Sequence, residues 1–122
     1  MTTTKLDIRS LEKELNEMIL EGKILEAFDK FYADDVTMQE NTDPPREGKA
    51  TNREFEIAFL ESFQEFHSAE LVTSATGKDV SLSEWVWDVT FKEGGRVHMA
   101  QVATRRWKDG KVASERFYYN KG

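Results

Sequence analysis

The sequence predicts an α+β fold in which helices cover one face of a strongly curved, mainly antiparallel sheet. Three observations carry this expectation. Apolar residues recur at helical spacing through much of the first 66 positions. Beyond residue 69 the chain turns to segments rich in aromatic and β-branched residues, punctuated by Gly94-Gly95 and Asp109-Gly110. Segments 80–92, 96–108 and 111–120 also exceed the usual strand of about five or six residues, and strands that long must bend.

The elements follow in order. Ile8, Leu11, Leu15, Met18 and Ile19 mark a first helix, with a capping box at Thr4 and Asp7 and a stop at Gly22. Ile24, Ala27, Phe28, Phe31 and Tyr32 share one face of a second helix, closed by Asp34-Asp35. Val36, Met38 and Glu40 alternate with Thr37 and Gln39, the pattern of a short strand. Residues 40–48, with Pro44 and Pro45 adjacent, read as one long loop. Thr51 and Glu54 offer a second capping box, and Phe55, Ala58, Phe59, Ser62, Phe63 and Phe66 carry a third helix to about residue 66. A weakly patterned strand over 69–76 precedes the three long ones.

Loop length sets which side chains share a face, because a slip of one residue reverses every one of them. Three-residue loops at 93–95 and 108–110, glycine last, pair Trp87 with Gln101, Trp85 with Ala103, Ala103 with Glu115 and Arg105 with Ala113. One face then carries Trp85, Trp87, Val89, Met99, Gln101, Ala103, Arg105, Trp107, Ala113, Glu115, Phe117 and Tyr119. The other is smaller and more polar, with an apolar strip at Val86, Ala100 and Val102. Such a strip with a polar rim suits a two-fold contact, so a homodimer through this convex face is expected.

Composition bounds the function. The 122 residues suit one domain over 1–122. Lys plus Arg is 17 against 23 Asp plus Glu, a net charge of −6, which disfavours nucleic acid and anionic membrane surfaces. There is no cysteine, hence no disulfide framework or thiol chemistry. The two histidines, His67 and His98, lie far apart with no ligand pattern, so no metal is expected. No apolar run reaches the roughly 20 residues of a membrane helix, and the first five residues lack the apolar core of a signal peptide, which points to the cytoplasm. Glu12, Glu14, Glu17 and Glu21 read as a solvated helix face.

The candidate site lies on the aromatic face. Glu40 shares strand parity with Val36 and Met38 and so points inward. A carboxylate removed from water is tuned towards a base, although a residue at a strand end can also reach solvent or cap a loop. Glu115 lies diagonal to Arg105 and Gln101, giving either an internal salt bridge or an anchor for a ligand carbonyl or carboxylate. Trp85, Trp87, Phe117 and Tyr119 form core or pocket wall. Phe55, Phe59 and Phe63 read as core, with Phe59 also a candidate for ligand contact.

The run Phe31-Tyr32-Ala33-Asp34-Asp35-Val36, the segment Met38-Gln39-Glu40-Asn41 and the close 106–119 resemble the nuclear transport factor two superfamily, nearest to SnoaL-like proteins and ketosteroid isomerase. The resemblance implies a cone-shaped α+β barrel of three helices on a mixed, mainly antiparallel sheet, with a pocket at its open end and often a homodimer. It implies a carboxylate base at the position matching Glu40. The isomerase's two oxyanion donors match Leu15 and Ala103, neither of which can donate, so steroid isomerisation itself is not implied. The expected function is a pocket for a small apolar or carbonyl-containing molecule. Glu40, Arg105 and Glu115 would serve proton abstraction by an isomerase, lyase or cyclase, without a cofactor. The alternative is a non-catalytic binding or dimerisation module of the same fold.

Overall fold

The computed structural model describes residues 7–120. Its elements run α1 (Ile8–Leu20), α2 (Ile24–Phe31), β1 (Tyr32–Glu40), β2 (Arg46–Glu47), α3 (Lys49–Glu61), β3 (Phe63–Gly77), β4 (Val80–Phe91), β5 (Gly95–Lys108) and β6 (Lys111–Tyr119). The strands form one mixed sheet in the order β2-β1-β6-β5-β4-β3. Among the described residues only β1 and β6 pair in parallel; the other neighbours are antiparallel. The sheet is not closed, since β2 and β3 form its two edges. Register shifts along β3 and near the end of β5 supply the bends that such long strands need.

Helix α1 starts at Asp7, whose carboxylate accepts from the Arg9 amide and the Ser10 hydroxyl, both at 3.0 Å. Thr4 lies outside the described residues. Leu15 of α1 packs with Ala27, Phe28 and Phe31 of α2 against Tyr32, Val36, Met38, Trp107 and Val112. The second helix ends at Phe31, so Tyr32 and Asp34-Asp35 belong to β1 rather than to its close.

Three further expectations are corrected. The third helix stops at Glu61, and Phe63 and Phe66 open β3. It also begins without a capping box: Gly48, at φ 95°, is the N-cap, and Asn52 ties the entry. Asn52 donates to the carbonyls of Arg46 at 3.0 Å and Gly48 at 2.8 Å, and accepts from Arg46 Nε at 3.1 Å. The proline-containing loop is partly ordered into β2, which pairs Thr37 with Glu47.

The register differs by two residues, which leaves the faces unchanged. Phe91 pairs with Gly95, so the β4–β5 loop is Lys92-Glu93-Gly94 and Trp87 faces Met99, with Trp85 facing Gln101. Gly94 and Gly95 both have positive φ. The β5–β6 turn has two residues, Asp109 at φ 53° and Gly110 at φ 79°, the type I′ pattern. That shorter loop alone would reverse the faces of β6. A bulge restores them: Trp107 pairs with Val112 and Arg106 with Ser114, leaving Ala113 unpaired. Val112, not Ala113, therefore enters the core. Arg105 now stands directly opposite Glu115 rather than diagonal to it.

Candidate functional site

Between the helices and the aromatic face lies a cavity of about 480 Å³. Glu40, Arg105, Glu115, Gln101, Trp85, Trp87, Phe117, Tyr119 and Phe59 all line it. Inward strand parity is what brings them together, from four strands and one helix. Much of the wall is aromatic. Trp85 and Trp87 stack with ring centroids 5.4 Å apart, and Phe63 lies 4.9 Å from Phe59 and 5.4 Å from Phe91. Trp87 Nε1 donates to Gln101 Oε1 at 3.1 Å. Phe55, Phe59 and Phe63 are wall rather than closed core, and Phe55 is 39% exposed.

A polar network underlies this cavity. Arg105, 2% exposed, donates from Nε to Glu115 Oε2 at 2.6 Å. Its Nη1 reaches Glu12 Oε2 and Asn16 Oδ1, both at 2.9 Å. Glu12 is 1% exposed and also accepts from the Ser81 and Ser83 hydroxyls. It is therefore not part of the solvated face of α1. Helical spacing groups it with Leu15 and Asn16, the buried residues of α1. Trp107 Nε1 completes this side at Ser81 Oγ, 2.8 Å away. On the other side, Tyr32 donates from its hydroxyl to Glu115 Oε2 at 2.7 Å.

Glu115 is 2% exposed, and its Oε1 has no hydrogen-bond partner among the described residues. Burial pushes its carboxyl pKa up, against the opposing pull of Arg105 and Tyr32. Burial also raises Tyr32 well above the usual phenol range, and the Glu115 charge adds to this. Desolvation alone would lower Arg105; the Glu115 and Glu12 carboxylates outweigh it and hold the guanidinium charged.

Glu40 is differently placed. Its Oε2 accepts from Arg46 Nη2 at 2.9 Å, and Arg46 itself lies over the Phe55 ring, 3.6 Å from its centroid. Glu40 Oε1 is 3.4 Å from the Tyr119 hydroxyl. Burial and the neighbouring Glu40 charge push Tyr119 up to about 12.

The wall holds one carboxyl group that sequence pattern does not single out. Glu56 of α3 lines the cavity and makes no hydrogen bond or ion pair among the described residues. Desolvation, then the Glu115 and Glu40 charges, push its pKa up to about 8. A signal exists in the sequence: Asn52, Phe55, Glu56, Phe59 and Leu60 share one helix face, so Glu56 interrupts an apolar stripe. Among the described residues no group of three or more His, Cys, Asp or Glu side chains is placed to hold a metal, and no helix is long and apolar enough to cross a membrane.

The family model of the SnoaL-like domain matches residues 3–119. The chain belongs to the SnoaL-like domain family. The fold of a candidate SnoaL-like polyketide cyclase from Mesorhizobium loti superposes with a TM-score of 0.86 at 29% identity, covering 93% of this SnoaL-like chain and all of the other. A nuclear transport factor 2-like protein of unknown function from Cytophaga hutchinsonii matches with a TM-score of 0.74 at 12% identity, over 91% and 97% of the two chains. A protein of ketosteroid isomerase-like fold from Catenulispora acidiphila, solved in complex with trimethylamine, matches with a TM-score of 0.71 at 14% identity, over 85% and 81%. No curated protein matches this SnoaL-like chain.

Proposed function

We propose that this SnoaL-like protein moves a proton on a carbon next to a carbonyl in an apolar small molecule, as an isomerase, lyase or cyclase. The observation that carries this reading is Glu56: a carboxyl group on the wall of an aromatic cavity, without an ion pair among the described residues and pushed up to about 8. A base is most effective when its pKa lies near the working pH, and burial without a cation is how a carboxylate reaches that range. In this reading Glu56, rather than Glu40, takes the proton, because Arg46 already holds the Glu40 carboxylate. Glu115 supplies the other half. Once protonated, its unpartnered Oε1 can donate to the substrate oxygen as negative charge develops there. Arg105 and Tyr32 position Glu115 through Oε2. The chemistry requires no cofactor.

Proton exchange tests it. Apolar ketones incubated with the protein in heavy water should lose α-protons faster than in buffer alone, as followed by NMR. Glu56→Gln should reduce the enzymatic rate on the order of 10²-fold or more. Binding of ketones without any catalysed exchange would favour the binding-module alternative instead.

The same reading places a second copy of the chain on the convex face. Val86, Ala100 and Val102 lie there beside Tyr118, which is half-exposed. Light scattering at tens of micromolar should return the mass of a dimer; a monomer would remove this assembly.

A further inference from the structure

We infer that the cavity selects an organic cation: an amine or quaternary ammonium group carried on an apolar, ring-containing body. The inference rests on the proposed reading of the cavity as a ligand site, and it adds a cationic group to the carbonyl compound proposed there. Among the described residues, four carboxyl or guanidinium side chains line the cavity, and three of them are acids: Glu40, Glu56 and Glu115. The single guanidinium, Arg105, is buried, and it turns Nε and Nη1 to Glu115, Glu12 and Asn16. Arg46 neutralises Glu40 from outside the lining. What remains unmatched is acidic. Glu56 has no ion-pair partner among the described residues, and Glu115 keeps a buried oxygen with none.

The chemistry of those two groups decides the sign of the ligand. A ligand carboxylate would enter a negative cavity and find its cation already engaged. An ammonium group supplies the missing charge, and where it carries an N–H this can donate to a carboxylate oxygen. The aromatic wall adds to this preference, because a cation over a ring face is attracted by the ring quadrupole. The stacked indoles of Trp85 and Trp87, with Phe59 and Phe63, provide such faces together with room for an apolar body. A bound cation would also favour the ionised form of Glu56, which is the form that accepts a proton. The charged groups around Glu56 that such a cation would meet are the Glu40 and Glu115 carboxyl groups, which attract it, and Arg46 and Arg105, which oppose it.

The test uses three probes of similar shape and different charge: N,N-dimethylbenzylamine, phenylacetone and phenylacetate, titrated into the full-length protein by calorimetry at pH 7. The amine should bind about tenfold or more tightly than the ketone, and the acid should bind weakest. Glu56→Gln should erase the advantage of the amine over the ketone. Binding of the quaternary benzyltrimethylammonium ion should release protons to buffer near pH 7 in the parent and release fewer in Glu56→Gln. Ketone or acid binding as tightly as the amine, or an amine preference that survives Glu56→Gln, would overturn the inference and leave the proton-transfer reading standing. Amine selectivity without any α-proton exchange would support the inference and remove that reading. If none of the probes binds, both fall.

Discussion

Replacing Arg105 by Leu is expected to destabilise the protein by about 3–5 kcal/mol at neutral pH, the usual scale for leaving a buried charge without its partner. The loss arises from what Leu leaves behind. Glu115 and Glu12 are each almost fully buried, and both rest on one guanidinium. Without it, Glu115 must stay charged in an apolar setting or take up a proton, and Glu12 and Asn16 each lose a donor. Chemical denaturation at pH 7 measures the effect. Lowering the pH should narrow the gap between variant and parent, since protonation of the stranded Glu115 removes the uncompensated charge. Arg105→Lys separates charge from geometry. An ammonium restores the charge but not the planar fork that bonds Glu115 from Nε and Glu12 from Nη1, so its loss should be smaller than that of Leu yet clear. A Leu variant as stable as the parent would mean that the network contributes little beyond filling space.

Replacing Glu56 by Gln is expected to do the opposite to stability while removing activity. The Glu56 pKa rises from an ordinary 4.5 to about 8 on folding. Its ionised form is thus disfavoured in the native state relative to the unfolded chain. Below pH 4.5 both states hold the neutral acid and the group is without effect. As pH rises the unfolded chain ionises first, and the parent loses stability progressively until the folded group also ionises near pH 8. At pH 7 this amounts to roughly 1–3 kcal/mol, once the partial contact of the side chain with water is allowed for. Gln carries no such cost, so the variant should match the parent at pH 4 and exceed it at pH 7 and above. Urea melts across that range test the crossing. The catalytic counterpart is a parent kcat/KM that climbs with pH as Glu56 ionises and falls again where Glu115 loses the proton it donates, the bell shape of a base and an acid acting together. A site whose removal stabilises the fold is the pattern of function held at the expense of stability. A Glu56→Gln variant that is less stable at pH 7 would mark the residue as a structural partner.

The contrast between Glu40 and Glu56 shows where sequence pattern stops. Glu40 is legible because strand parity with Val36 and Met38 sends it inward, and it does reach the cavity wall. Its ionic partner is not legible. Arg46 stands on β2, beyond the two prolines, and it meets Glu40 only because β2 folds back to pair with β1. Glu56 is obscured for the opposite reason. A single glutamate on a helix is ordinarily solvated, and only the packing of α3 over the sheet encloses it. Glu12 follows the same logic on α1, where Ser81, Ser83 and Arg105 from two strands surround it.

By itself the sequence determined the α+β class and most of the strand side chains that face inward, since these follow from periodicities of 3.6 and 2 along the chain. It therefore also determined that Trp85, Trp87, Gln101, Arg105, Glu115, Phe117 and Tyr119 would share a face. The tertiary structure decided the pairing within that face. The type I′ turn at Asp109-Gly110 and the bulge at Ala113 change the register by amounts that cancel in parity, but they set Arg105 directly against Glu115. It decided too which carboxyl groups find a cation. Charge pairing depends on distances between segments far apart in the chain, and these exist only once the helices close over the sheet.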